Sequence, residues 1–535
     1  MTTDPDIANP VPSSDRSRWT LPALLVCWFA FCLWAAVFVP LVGDEAYYWL
    51  WSRHLELGYF DHPPAVAWMT FPFGGNKFAF RAVGVVTMVA VAILTGKAAL
   101  RSQQSMAGTR TPGKGWVAIS TALMVLVSPL LSHYSVEMGP DTPLLLGWAV
   151  TMQCVVMAVL GSQPIFWLGA WLGAALAILS KLTGWLLAAT LLGLALVEPA
   201  ARRQTRSRYF WGGIVLAALA ISPHLWWNWV NHGTNYTFQW GLRVARRAVQ
   251  PGRLLQAPEM LTDLGFLTLL MLPALWWALK KARVSPEVRL LLWFALPIHL
   301  AFLAVRALGV SRWNWPMPGY LGLLAITGIW LAQTSSQVRK GFKVALALTA
   351  GWSALALSGR ALPQVNGELA AVHQGAHSDE MTFALPLLGK TLNQYERAAG
   401  GATGSPPVFL LEDDYTEAAA LTYYSGRRVG LVMPHREGSQ FLQWNDFDSE
   451  IGHDALFVAH RPLSNLQHVV IALQRSFESY QRLEPWQVQV TPGAAPITFY
   501  PVYCHRLRQN WLDHMPPSTK PLALAGPMPI EWPRK

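Results

Sequence analysis

Apolar runs long enough to cross a bilayer as helices, about 20 residues each, recur through the first two-thirds of this 535-residue chain. They cover residues 21–42, 78–100, 116–133, 143–161, 164–181, 182–198, 209–228, 261–279, 288–307, 315–333 and 341–358, about eleven spans by the length criterion. Only 13% of the residues are charged, against about 25% in a typical soluble domain. A chain with that pattern reads as a polytopic α-helical membrane protein. The run 164–198 is too long for one span and is divided at Ser180-Lys181-Leu182-Thr183-Gly184, because a Lys is costly inside a bilayer and belongs at a surface or a wet cavity.

The positions of the basic residues set the orientation. With residues 1–20 as a cytoplasmic tail, the inner loops hold Arg16 and Arg18, then Lys97, Arg101, Arg110 and Lys114, then Arg202, Arg203, Arg206 and Arg208. Lys280, Lys281, Arg283 and Arg289 follow, and then Arg339, Lys340 and Lys343. The excess of Lys and Arg on one side is the positive-inside signal. Much of the net charge of +11 therefore reports topology, and no nucleic-acid partner is expected. The polar N-terminal stretch has no small-residue cleavage site after it, so residues 21–42 are expected to be a retained first span. The transmembrane part is placed at 21–359. After Arg360, Pro, Gly and charged residues recur every few positions, and residues 360–535 are expected to form a soluble periplasmic α/β domain. Within it Val408–Leu411, Ala455–Ala459 and Ile497–Tyr503 read as strands and Tyr415–Tyr424 as a helix. The four cysteines show neither a disulfide framework nor a metal-binding spacing.

With that orientation, several polar stretches fall on one outer face. The first loop, GDEAYYWLWSRHLELGYFDHPP, carries Asp44, Glu45, Asp61 and His62 among aromatic rings. Glu137 and Asp141 lie in SHYSVEMGPDTPLLLGW, Lys181 in the split run, and Arg312, Trp313, Asn314 and Trp315 before the tenth span. Each alone fits an ordinary interfacial residue; their convergence is what points to chemistry, since acids held in a partly desolvated cavity do proton work. Arg243, Arg246, Arg247 and Arg253 also fall on this face, where the positive-inside rule leaves cations scarce. They fit either a solvated amphipathic helix or a site for an anionic headgroup, which Arg grips in a bidentate fork. There is no Walker loop, no GxGxxG after a strand and no zinc-type spacing. Asp61 and His62 are the candidates for a metal, and a divalent ion stays open. Carboxylate, cations and an aromatic-lined pocket outside the cytoplasm suit transfer of a sugar from a lipid phosphate.

The first loop resembles the first periplasmic loop of integral-membrane glycosyltransferases of the GT-C fold, in the glycosyltransferase family 39 branch that holds lipid A aminoarabinose transferases and relatives of the dolichyl-phosphate-mannose protein mannosyltransferases. MGPDTPLLLGW, LAILSKLTGWLL, ISPHLWWNW with FQWGLR, and RWNWP are similar to further landmarks of that branch. The resemblance implies a polyprenyl-phosphate sugar donor, a lipid A- or core-type glycolipid or other envelope acceptor, and an inverting single displacement at the periplasmic face of a bacterial inner membrane. It makes Asp44 the candidate base, Glu45 its acidic neighbour and Asp141 the second acidic motif. Asp61 and His62 stand where aminoarabinose transferases have Glu-Lys before Pro-Pro. That departure leaves the donor phosphate to Lys181, Arg243, Arg246, Arg247, Arg312 and Asn314, or to a protonated His62. The rival readings are a transporter or flippase of polyprenyl-linked sugars, a protein O-glycosyltransferase, and a non-catalytic assembly scaffold.

Overall fold

The computed structural model describes residues 16–107, 114–242, 263–307, 314–365, 380–403, 409–432, 440–444, 447–491 and 495–509. Its first part is helical. Long helices α1 (Arg16–Phe38), α4 (Lys77–Ala107) and α7 (Asp141–Val159) are separated by the short helices α2 (Gly43–Arg53) and α3 (Ala65–Thr70) and by the bent pair α5 (Lys114–Val127) and α6 (Pro129–Val136). Then come α8 (Phe166–Ile178), α9 (Gly184–Val197), α10 (Arg208–Val230), α11 (Thr268–Lys281), α12 (Pro286–Ala307), α13 (Pro318–Ala332) and α14 (Ser336–Ala361).

Among the described residues, six helices are long and apolar enough to cross a membrane, seven if the bent pair counts as one. That is fewer than the expected eleven, and the reasons are local. Pro129 lacks the N–H that would continue the helix, and α5 and α6 meet there at 73°. The run 164–198 does break at Ser180–Thr183, leaving α8 and α9 as two shorter apolar helices, and α11 and α13 are short as well. Exposed apolar side chains such as Leu196, Trp229, Leu269 and Leu300 stud the outside of the bundle, as a lipid-facing surface requires.

The stretch after α1 is where sequence expectation and structure part. Residues 43–53, read as a loop, form α2. They contain no helix breaker after Gly43, the acids Asp44 and Glu45 sit in the first turn and Arg53 in the last, and that arrangement complements the helix dipole. Gly43 makes the turn into α2 with φ of 63°, a left-handed conformation that glycine adopts without steric cost.

The C-terminal part begins with α15 (Glu380–Thr403) and continues as a mixed sheet. Strands β1 (Phe409–Glu412), β2 (Val429–Leu431) and β3 (Ala455–Ala459) are parallel in the order β2-β1-β3, with Leu410 level with Val429 on one side and Leu456 on the other. Helix α16 (Tyr415–Ser425) makes the crossover from β1 to β2, and α17 (Gln467–Ser476) leads into β4 (Phe477–Arg482). Strand β6 (Ile497–Leu507) runs antiparallel between β3 and β4, and β5 (Trp486–Val488) also pairs with it. The two central strands are buried throughout and read as continuous apolar runs, as strands covered on both faces do. Their side chains alternate between two cores: Phe409, Leu411 and Phe457 pack on one face, Leu410, Leu456 and Val458 on the other. The second of these cores also contains Leu41, Ala46, Tyr47, Leu50, Trp51 and Tyr59. The α/β unit therefore shares a hydrophobic core with α2 and the first loop.

Candidate active site

Adjacent acids on a helix are turned about 100° apart, so they cannot face the same surroundings. Asp44 is exposed, while Glu45 points inward and is 2% exposed. Arg81, from α4, donates to both Glu45 carboxylate oxygens, through Nε at 2.8 Å and through Nη2. The same guanidinium reaches the carbonyls of Val39 and Pro40 at the end of α1, and Glu45 also accepts the Met138 N–H at 3.0 Å. Glu45 thus ties three segments together and does not line the cavity that Asp44 faces. Arg81 escaped the sequence reading, although an Arg at the start of an apolar span is itself a demand for a partner.

That cavity holds about 140 Å³ and is bordered by Asp44, Asp61, His62, Asp141, Lys181 and Asn314, with Tyr48, Tyr134, Glu137, Trp315 and Tyr415. Lys181 sits in the break between α8 and α9, where its Nζ donates to both oxygens of Asp141 at 2.9 Å. Asn314 donates to the Tyr134 hydroxyl at 2.7 Å and to Asp141 at 3.3 Å. Asp61 accepts from the Tyr47 hydroxyl at 3.3 Å, and its backbone carbonyl takes a hydrogen bond from Gln239 at 2.5 Å. The Ala65 N–H, just past Pro63-Pro64, donates to the carbonyl of Leu179 at 2.9 Å, which sets the end of the first loop beside the Lys181 break. Gln440 of the α/β unit accepts from the Phe60 N–H at 2.7 Å. Gly58 lets the loop lie against Trp227, since a Cβ there would approach the indole ring to 2.4 Å.

Glu137 has partners of its own. Burial alone would push its carboxyl up, but Arg360 and His133 outweigh that and hold it well below the usual range. Arg360 donates to Glu137 and to His133 Nδ1. Higher in the first loop, burial raises the Glu56 carboxyl to about 7. Among the described residues no three His, Cys, Asp or Glu side chains are grouped to hold a metal ion. Arg243, Arg246, Arg247, Arg253 and Arg312 lie outside the described residues.

A second, larger cavity of about 720 Å³ opens on the far side of Lys181 and Trp315, which border both. Its walls are Leu182, Trp185, Leu186, Ala301, Phe302 and Val305, with Tyr236, Thr237 and Gln239 at one side. A polar, acid-lined chamber and a mostly apolar one thus share Lys181 and Trp315 in their walls.

The family model described as dolichyl-phosphate-mannose-protein mannosyltransferase matches residues 61–227. The lipid A galacturonosyltransferase RgtD of Rhizobium johnstonii is 26% identical over 315 residues, 56% of this chain and 63% of its own length, so the chain spans less than two-thirds of that relative. The crystal structure of ArnT from Cupriavidus metallidurans bound to undecaprenyl phosphate superposes with a TM-score of 0.62 at 17% identity, covering 92% of this chain and 98% of that one. The apo form of the same protein gives 0.59 at the same identity and coverage. Superposition over 92% of this chain and 98% of the ArnT chain shows that the two share one fold, the GT-C fold.

Proposed function

We propose that the protein transfers a sugar from a polyprenyl-phosphate donor to a lipid A- or core-type glycolipid at the outer face of a bacterial inner membrane. The observation that carries this reading is the junction of the two cavities at Lys181. The phosphate-proximal isoprene units of a polyprenyl chain fit the apolar chamber, and the phosphate then reaches the ammonium at the boundary. The sugar projects into the acidic chamber, facing Asp44. A structural relative crystallised with undecaprenyl phosphate and a sequence relative named for lipid A support the two substrate classes.

In the reaction, Asp44 takes the proton of the acceptor hydroxyl as its oxygen bonds to the anomeric carbon. The bond from that carbon to the phosphate oxygen breaks at the opposite face, so the configuration inverts. The polyprenyl phosphate leaves with the bonding electrons, and Lys181 stabilises its growing charge. A phosphate needs no protonation to leave, so one essential carboxylate suffices, unlike the pair used in glycoside hydrolysis. Asp141 holds Lys181 in place, with Asn314 fixing Asp141. Asp61 and His62 line the chamber where the sugar lies.

Lys181→Ala is expected to weaken undecaprenyl phosphate binding by roughly 1.5–3 kcal/mol, the range for hydrogen bonds to charged groups. Calorimetric titration of the purified protein measures it, and an unchanged affinity would shift the phosphate to the arginines at 243, 246, 247 and 312. The orientation proposed places residues 360–535 in the periplasm, as the basic inner loops require. A reporter active only in the periplasm, fused after Lys535, is expected to be active; activity of a cytoplasmic reporter there would invert the topology. For the function itself, mass spectrometry of lipid A from a deletion strain is expected to show the loss of one sugar residue. An unaltered lipid A profile would favour another envelope acceptor.

A further inference from the structure

We propose that Tyr415, which belongs to the α/β unit and not to the membrane helices, is a positioning residue for the transfer reaction: its hydroxyl orients the Asp44 carboxylate for proton removal. The proposal rests on the transferase reading above and adds a residue that lies 371 positions away in sequence. Tyr415 donates to Asp44 Oδ1 at 2.7 Å, and both side chains border the acidic cavity.

The contact is built in, because each side of it is fixed by its own element. Tyr415 opens α16 directly after Asp414, whose carboxylate accepts from the N–H groups of Thr416 at 2.8 Å and Glu417 at 3.3 Å. That N-cap locks the first turn of the helix. The Tyr415 ring meets the Tyr47 ring edge-on at 5.0 Å, and Ala418 and Leu421 of α16 share a core with Ala46 and Leu50 of α2. Tyr415 also lies three residues past the end of β1, so the carboxyl end of that strand delivers it to the Asp44 cavity.

The Tyr415 hydroxyl fixes the rotation of the Asp44 carboxylate at the cavity wall. A hydrogen bond to the charged form also favours that form, which keeps the base ionised. Among the described residues, the other titratable groups bordering the cavity are Tyr48 on the same helix, Asp61 and His62 from the first loop, Tyr134 on α6, Glu137 directly after it, Asp141 at the start of α7, and Lys181. Lys181 is engaged with Asp141 and Glu137 with Arg360, so these charges partly offset one another. A tyrosine that merely docked the α/β unit would make its ring contacts without affecting the titration of Asp44.

Tyr415→Phe keeps the ring and removes the donor. In the full-length protein in nanodiscs, carbodiimide labels the protonated Asp44 carboxyl, and peptide mass spectrometry reads the labelling as a function of pH. The labelling midpoint in the variant is expected to rise by about one pH unit, the size set by losing one charge-assisted hydrogen bond. With an undecaprenyl-phosphate sugar as donor and lipid A as acceptor, kcat is expected to fall roughly tenfold, with its acid limb displaced upward by the same unit and KM for the donor unchanged. An unchanged midpoint overturns the proposal whatever the turnover shows. Absence of transfer by the unmodified protein overturns the transferase reading instead, and the midpoint still decides whether Tyr415 governs Asp44.

Discussion

Replacing Asp44 with Asn is expected to slow sugar transfer by about 100- to 10,000-fold, the range for losing a general base. The side chain keeps its shape, and its amide oxygen can still accept the Tyr415 hydroxyl that lies at 2.7 Å from the Asp44 carboxylate. What disappears is basicity. Because Lys181 and the apolar chamber are untouched, undecaprenyl phosphate should bind with its original affinity. Single-turnover transfer with donor saturating separates the chemical step from binding. Of the other carboxylates at the cavity, Asp141 is gripped by Lys181 and Glu137 by Arg360. Neither is placed to substitute as a base without first surrendering its cation. Near-native turnover in Asp44→Asn would therefore point to Asp61 as the next base to remove.

The second large effect concerns stability, not rate. Arg81 is fully buried beside Glu45, and its guanidinium also satisfies carbonyls where α1 ends. Arg81→Ala leaves the Glu45 carboxylate buried beside the Met138 N–H, which donates to it at 3.0 Å. Breaking a buried pair by removing one partner costs on the order of 3–5 kcal/mol, because the survivor stays charged and uncompensated. Replacing both residues by apolar groups of similar volume avoids that penalty, so the double variant Arg81→Met with Glu45→Met is expected to recover much of the loss. Thermal unfolding of the purified protein in one detergent ranks the three proteins. Equal stability of Arg81→Ala and the parent would show that this clamp does not hold α1, α2 and α4 together. The sequence motif pairs Asp44 with Glu45, but the structure assigns them different work: one meets the cavity and the other secures the helix that presents it.

How much of this was readable beforehand follows from the range over which each signal acts. Hydropathy is local, so the long helices and the break at Lys181 emerge from the sequence, as do the strands at 409–412 and 455–459. The three-residue strands β2 and β5 carry too few residues for a pattern. Asp44, Asp61, His62, Asp141, Lys181 and Asn314 fall on one outer face by sequence, and they border one cavity. Face assignment, though, cannot say which acid owns which cation. Asp141 taking Lys181, Glu45 taking Arg81 and Glu137 taking Arg360 are outcomes of helix packing. Tyr415 has no local mark at all: it is one aromatic residue at the start of the helix after β1, and its contact with Asp44 appears only when α16 packs on α2.

In the proposed reaction a sugar passes from a polyprenyl phosphate held at Lys181 to a lipid A-type acceptor near Asp44. Its most direct test uses the purified full-length protein in nanodiscs with lipid A and undecaprenyl phosphate carrying the sugar that the deletion strain lacks. Mass spectrometry then follows both lipids. The account predicts that lipid A gains one sugar residue while undecaprenyl phosphate is released in equal amount. Lipid A unchanged beside intact donor would contradict it.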